Sequence, residues 1–346
     1  MPVFAAEYLQ KIAADVFRAA GADDAAAHTV SSMLVEANLT GHDSHGVIYI
    51  VDYLNRILDG KLNAKAKPEI VRETATTLHV DGHWGFGQVI AKWTMEQLIQ
   101  KAKQNNVAAA GIFNCGHIGR VGLYPAMASQ QGLIALAFAN GGGSKPRVAP
   151  FRGMKAMLGT NPLAATIPVA ERSPIVLDFS TSVVASGKIR ITQNKGEELP
   201  DGWILDREGR ASRNPEDYYN GGMLLPAAEH KGYGLGMLVD ILGGLLTGAG
   251  TPTLPDGPYK LGNGVFFIAV NVEPFQPASV FGADVLHLCE TLKATPPINH
   301  GHDSNVLVPG EPEEQTKAHR LKDGINIPDK TWQKIIEAAR SVGVEL

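Results

Sequence analysis

The chain predicts an α/β fold in two lobes, and three observations predict it. At 346 residues it exceeds the roughly 250–300 residues at which a single core tends to split. Its first 60 residues carry apolar side chains at helical spacing. Beyond Gly60, short Val/Ile/Ala-rich runs alternate with helical ones, without a clean series of β-α-β units.

Residues 5–59 read as helices. Tyr8, Leu9, Ile12, Val16 and Phe17 recur at helical spacing, and Gly21 follows as a stop. Asp23 or Asp24 caps a second helix whose apolar face holds Val30, Met33, Leu34 and Ala37 and which ends at Gly41. Another apolar-periodic run begins near Val47. Glu69 to Val80 alternates like one strand, and Gly85-Phe86-Gly87 leads into a helix through Ala91, Met95, Leu98 and Ile99. Val107–Phe113 reads as a buried strand, followed by a helix over Leu123–Gln130 and a strand over Leu133–Ala139. The stretch from about 140 to 225 is punctuated by Gly and Pro, with short strands at Leu163–Pro168 and Ile175–Phe179. A long helix is expected from Lys231 to Leu246, a loop over Thr251–Gly264, a strand over Val265–Val272 and a helix over Asp284–Leu292. Asn299–Pro312 reads as extended, and Thr331–Ser341 as a terminal helix.

Composition narrows the partners. Apolar content of 44% and charged content of 19% describe an ordinary globular protein, and a net charge of −4 gives no basic footprint for nucleic acid or an anionic membrane. A small molecule or a second copy of the chain is the expected partner. Two cysteines, Cys115 and Cys289, exclude a disulfide framework and suit a reducing cytoplasm. The N-terminus enters an amphipathic helix directly, with no signal-peptide pattern. The most apolar later stretch, Leu235–Leu246, contains Asp240 and is too short to span a bilayer. The expectation is a soluble cytoplasmic protein.

Chemistry concentrates in a few glycine-flanked segments. Gly41-His42-Asp43-Ser44-His45-Gly46 packs two imidazoles, a carboxylate and a hydroxyl into a junction between helices. Imidazoles exchange protons near neutral pH, and such junctions favour sites. The plain alternative is a solvated polar turn. Asn114-Cys115-Gly116-His117-Ile118-Gly119-Arg120-Val121-Gly122 follows an apolar strand and precedes a helix. His117 and Arg120 project from it, and the Arg fork matches a carboxylate or phosphate. The alternatives are a glycine turn with a surface Arg and a buried, unreactive Cys115. Glu229-His230-Lys231-Gly232-Tyr233-Gly234-Leu235-Gly236 opens a helix whose N-terminus attracts anions. Its G-x-G-x-G spacing departs from the dinucleotide fingerprint, and the glycines equally serve close helix packing. Leu177-Asp178-Phe179-Ser180-Thr181-Ser182 ends a strand in groups that could bind a ribose or merely cap a helix. Gly159-Thr160-Asn161-Pro162 and Pro309-Gly310-Glu311 are polar turns of the same ambiguity. A metal reading would use His42, Asp43 and His45, or His300, His302 and Asp303, but neither set has standard ligand spacing. No metal is expected.

Taken in order, Gly41–Gly46, Gly116–Gly119, Gly159–Pro162, Leu177-Asp178, His230–Gly234 and Pro309–Glu311 resemble the malate/L-lactate dehydrogenase family. The likeness is to its type 2 group, which also holds sulfolactate, ureidoglycolate, diketogulonate and piperideine-carboxylate enzymes. It covers nearly the whole chain and is strongest toward the hydroxycarboxylate dehydrogenase B branch. It implies a non-Rossmann two-lobed fold with a helical N-terminal region and mixed sheets. Residues 1–118 and 270–346 would form a helical, catalytic and dimerisation lobe, and 119–269 the cofactor lobe. It implies NAD- or NADP-dependent interconversion of a 2-hydroxy and a 2-oxo acid by a homodimer. By that resemblance His45 and His117 are the candidate acid/base groups, with Ser44 and Lys188 beside them. The cofactor would meet Ser144, Asn161, Leu177, Asp178, Phe179, Ser180, His230, Lys231, Pro309, Gly310 and Glu311. Many members carry an arginine five residues after the motif serine. Here that position is Tyr49, and the substrate carboxylate is assigned instead to Arg120, with Tyr53 as hydrogen-bond donor. The rival functions are reduction of a cyclic imine carboxylate, metal-dependent hydrolysis or lysis through the histidine loops, and a non-catalytic binding protein.

Overall fold

The computed structural model describes residues 2–141, 145–253, 262–297 and 305–345. In chain order its elements are β1 (Val3–Phe4), α1 (Ala6–Ala19), α2 (Asp24–Leu39), a 3-10 turn (Asp43–His45), α3 (Tyr49–Leu58), β2 (Glu69–Glu73), β3 (Thr77–Gly85), α4 (Gly87–Asn105), β4 (Val107–Cys115), α5 (Leu123–Ser129) and β5 (Leu133–Asn140). There follow β6 (Leu163–Ile167), β7 (Ile175–Phe179), α6 (Ser186–Lys195), β8 (Ile204–Leu205), β9 (Ala211–Ser212), α7 (Pro215–Tyr219), β10 (Met223–Leu224) and α8 (His230–Val239). The last are a π-helical turn (Asp240–Leu245), β11 (Asn263–Asn271), α9 (Ala278–Lys293), α10 (Glu311–Asp323), β12 (Ile325–Asn326) and α11 (Asp329–Ser341).

The main sheet has seven strands in the order β2-β3-β4-β11-β5-β6-β7. Only β3 and β4 run parallel; every other neighbouring pair is antiparallel. The sheet is therefore mixed and mainly antiparallel, and is not a Rossmann sheet, which is mostly parallel. Its core lies against α4 and α5, where Ile90, Met95, Leu98, Tyr124 and Phe267 are buried. A second core joins α1, α2, α3 and α11 through Phe17, Leu34, Tyr53, Leu54 and Ile335. A third, smaller one sits under the three-stranded sheet β10-β8-β9, around Ile189, Ile204 and Tyr218. Strands on both sides of residues 118/119 and 269/270 share the main sheet.

Several elements differ from the sequence reading for identifiable reasons. Glu69–Val80 is a hairpin, because Thr74 turns the chain: its amide donates to the Thr77 carbonyl at 3.0 Å and its hydroxyl meets that of Thr77 at 2.7 Å. Helices α6 and α7 occupy a stretch expected to hold only loops and strands. Pro312 lies in the first turn of α10 instead of ending an extended segment, a position proline tolerates because its amide would be unpaired anyway. The Lys231–Leu246 helix is present but changes to π geometry at Asp240.

Candidate active site

The first histidine is held by a chain of local causes. Helix α2 ends in a Schellman arrangement: the His42 amide donates to the Ala37 carbonyl at 2.8 Å and that of Gly41 to Asn38 at 2.9 Å. Gly41 takes φ +84°, which glycine adopts freely. The buried Asn38 then organises the next turn. Its Nδ2 donates to Asp43 at 2.6 Å, and its Oδ1 accepts from the Val47 amide at 2.8 Å. A Cβ on Gly46 would lie 2.1 Å from Asn38 Oδ1, so only glycine allows this approach. Arg320 of α10 closes the clamp with bonds of 2.6 and 3.0 Å to the two Asp43 oxygens. Asp43 and His42, the latter 3.3 Å from Glu313, are thus supporting groups. Ser44 Oγ lies 3.1 Å from His45 Nδ1.

The second histidine follows β4. Gly87 and Gly116 let the start of α4 meet this loop backbone to backbone, since a Cβ on Gly87 would lie 2.3 Å from the Gly116 carbonyl oxygen. His117 Nδ1 is 2.8 Å from the Tyr53 hydroxyl, which also receives a 2.8 Å hydrogen bond from Gln88. Tyr49 stacks on His117 with centroids 4.4 Å apart at 21°. His45 and His117 face each other with centroids 5.8 Å apart and planes 16° from parallel. The structure therefore brings Ser44, His45, Tyr49, Tyr53 and His117 into one cluster.

Arg120 is buried. Its Nε donates to Asp178 Oδ2 at 3.1 Å and its Nη1 to the Thr40 hydroxyl at 2.8 Å. The Gly122 amide also donates to Asp178, at 2.9 Å. This pair ties the end of β7 to the His117 loop. Helix α6 reaches the first histidine turn through Gly187, where an added Cβ would stand 2.8 Å from Ser44 Cβ. Lys188 follows on the same helical turn and is exposed.

Burial sets the charge state of the site. It holds the His45 pKa down to about 4; Asp178 opposes this, while His42 and Arg120 push it further down. Burial likewise drives His117 well below the ordinary imidazole value, with His45 and Arg56 acting in the same direction. Both rings are neutral at pH 7. Burial raises the hydroxyls of Tyr49 and Tyr53, so both keep their hydrogens.

The segments expected to meet a cofactor form a rim beside this cluster. The Val176 amide donates to the Pro309 carbonyl at 3.1 Å, which lays Pro309-Gly310 along the edge strand β7. Gly310 has φ +102°, and a Cβ there would press on the Val176 amide at 3.3 Å. The Thr181 amide bonds Thr160 at 3.0 Å, the Ala227 amide bonds Thr181 at 2.9 Å, and Asn161 Nδ2 bonds the Gly236 carbonyl at 2.9 Å. These contacts join the end of β7, the Asn161 turn and the start of α8. Leu177 is partly buried, Phe179 is exposed, and Ser180 Oγ donates to the Ser182 carbonyl at 3.1 Å. His230 and Lys231 are exposed on the first turn of α8. Glu311 is turned inward: Arg172 at 3.0 Å, Lys293 and the Val308 amide at 3.0 Å satisfy its carboxylate. Ser144 lies outside the described residues, as do His300, His302 and Asp303. Among the described residues no three His, Cys, Asp or Glu side chains gather as a metal cluster.

Residues 4–336 match the family model described as malate/L-lactate dehydrogenase. The chain belongs to that family. Its relatives include hydroxycarboxylate dehydrogenase B of Escherichia coli K12, 36% identical over 99% of this chain and 94% of the relative. The malate dehydrogenase of Entamoeba histolytica superposes with a TM-score of 0.92 at 31% identity, covering 100% of this chain and 99% of the other. The delta1-piperideine-2-carboxylate reductase of Pseudomonas syringae gives a TM-score of 0.85 at 27% identity, covering 98% and 100%. Family membership agrees with the resemblance read from the six motifs, and the fold is the family's non-Rossmann one.

Four residues of the site escaped the sequence reading. Asn38, Gln88 and Arg320 carry no motif, and only their partners reveal them. Asp240 carried a signal, as the lone carboxylate in an apolar helix. It is buried beside Asn140 and Asn161, and burial pushes its pKa up to about 6.

Proposed function

We propose that the protein is an NAD(P)-dependent oxidoreductase that interconverts a 2-hydroxy acid and a 2-oxo acid. One observation carries this reading: two neutral imidazoles, His45 and His117, face each other 5.8 Å apart beside a glycine-lined rim. The relatives named for malate and hydroxycarboxylates support the substrate class. The rim fits a nicotinamide dinucleotide by its chemistry. Asn161 Oδ1 is buried without a hydrogen-bond partner, an acceptor suited to a hydroxyl or carboxamide donor. Glu229 provides no side-chain cap to α8, so its first turn and Lys231 suit an anion. We assign the cofactor to Asn161, Leu177–Ser180, His230, Lys231 and Pro309–Glu311, within a lobe centred on residues 119–269, with Ser144 as a further contact.

A nicotinamide cofactor held there would supply or accept the hydride at the substrate's C2. The protein supplies the proton. In oxidation neutral His117 or His45 takes the proton of the C2 hydroxyl and becomes an imidazolium; in reduction that imidazolium, formed by uptake of a proton from solvent, returns it to the C2 oxygen, a role typically worth ~10²–10⁴-fold. Ser44 orients His45. Lys188 lines the same pocket from α6. Arg120, with Nε and Nη1 already bonded, has Nη2 for the substrate carboxylate, while Tyr49 covers His117. Tyr53 spends its hydroxyl on His117, so its contribution to substrate binding is indirect.

The test is a panel of 2-oxo acids run with NADH and with NADPH, followed at 340 nm. Oxidation of either cofactor, unaffected by chelators, is expected; no oxidation with any member would refute the reading. A second reading, reduction of a cyclic imine carboxylate, is favoured by the likeness to the piperideine-carboxylate reductase and is scored by adding such imines to the panel. We further propose a cytoplasmic homodimer. Both cysteines are free and buried, as suits a reducing compartment. Leu235, Leu238, Ile241 and Leu245 form an exposed apolar stripe along α8 and the π-helical turn, a surface a second copy would cover.

A further inference from the structure

Gln88 is the second residue of α4 and only 1% exposed. Its Nε2 donates to the Tyr53 hydroxyl at 2.8 Å. Gly119, at φ +73°, brings its backbone against the same amide, where an added Cβ would stand 3.3 Å from Nε2. Tyr53 is also 1% exposed. Its hydroxyl lies 2.8 Å from His117 Nδ1 and 3.3 Å from the His117 carbonyl oxygen.

A phenolic hydroxyl has one hydrogen to give and lone pairs to receive. Gln88 already donates to this one, so the hydroxyl's own hydrogen goes to the nearer acceptor, Nδ1. A ring nitrogen that accepts carries no hydrogen, and a neutral imidazole then bears it on Nε2. We propose that Gln88 is a positioning residue that selects the tautomer of His117: by aiming the Tyr53 hydroxyl at Nδ1, it leaves Nε2–H as the hydrogen offered to a substrate oxygen. Only that last step rests on the reading of the protein as a 2-oxo acid reductase. The tautomer itself does not.

The amide has a second order available. Gln88 Oε1 is buried and accepts no hydrogen bond. Turning the amide over would place this acceptor on the Tyr53 hydroxyl. That hydroxyl would then receive a hydrogen from Nδ1, leaving Nε2 bare. One order presents Nε2–H, which can hydrogen-bond a substrate oxygen; the other presents a bare Nε2, which can receive the proton of a C2 hydroxyl and become an imidazolium.

The experiment is nitrogen-15 NMR of the histidine ring nitrogens in the intact protein at neutral pH, with His117 assigned by comparison with His117→Gln. In the wild type, His117 is expected as the Nε2–H tautomer. An Nδ1–H ring would overturn the proposal without any variant being made. In Gln88→Met, which keeps length and removes the donor, the ring is expected to become a mixture of tautomers; an unchanged single tautomer would overturn the selecting role. Tyr53→Phe should lose the bias in the same way, so the result does not depend on one variant folding. With a 2-oxo acid that is turned over, Gln88→Met should lower kcat about ten- to a hundredfold with KM little changed. The expected tautomers with no 2-oxo acid turnover would refute the proposed function and leave the positioning role standing.

Discussion

His45 and His117 reach the same cluster from helix-side and strand-side loops, and each half-buried ring is kept neutral by the loss of water around it. Replacing either with Ala should lower turnover of a 2-oxo acid by ~10²–10⁴-fold, with circular dichroism and melting temperature near those of the parent. Near-normal turnover in both variants would sink the acid/base assignment. Their depressed pKa values also bear on stability. An unfolded histidine titrates near 6.5, whereas folded His45 titrates at about 4 and His117 is shifted the same way. Between those values the unfolded chain binds protons that the folded one refuses, so stability falls as pH drops through the window. Each histidine costs at most about 1.4 kcal/mol per pH unit. Urea midpoints at pH 7 and pH 5 should show the fall, and His45→Gln should make it shallower. At this scale the sequence was informative where residues declare themselves, as in the two glycine-flanked histidine loops. It was silent on Gln88 and Asn38, because an amide gains its role only from the partners that folding brings to it.

Among elements, glycine decides how closely the site is assembled. Gly46→Ala must push Asn38 off the Val47 amide, since the new methyl would stand 2.1 Å from Oδ1. A loss of about 1–3 kcal/mol is expected from such overpacking, read by urea denaturation. Gly187→Ala meets Ser44 Cβ at 2.8 Å at the start of an exposed helix. It should lower turnover more than stability by shifting α6 from the His45 turn; equal turnover at equal stability would refute that coupling. Helix α6 was not legible because its Ser186–Lys195 sequence lacks an apolar stripe, Ile189 being the one fully buried side chain among those described. Helix α10 is charged throughout and was missed for the same reason. Strands β4, β5 and β7 were legible because they are apolar runs with turn residues at both ends. The hairpin β2–β3 was not, because Thr and Ala at its turn have no breaker character.

On the scale of the whole molecule, the apolar stripe on α8 and the π-helical turn predicts self-association. Light scattering after size exclusion should give twice the chain mass of 36.9 kDa. Ile241→Glu combined with Leu245→Glu should give the single mass, and an unaltered mass would place the interface elsewhere. The mixed α/β character could be read from length and texture. The pairing of distant strands could not, since periodicity states which face is buried and not which neighbour is chosen. One such pairing has a consequence during synthesis. Strand β11 fills the middle of the main sheet, between β4 and β5, yet it leaves the ribosome after both of them, as residues 263–271. Until then β4 and β5 each show an unpaired backbone edge to the crowded cell. Such edges recruit other chains. A nascent chain stalled before residue 263 should therefore be a chaperone client, while one released after β11 closes the gap should not.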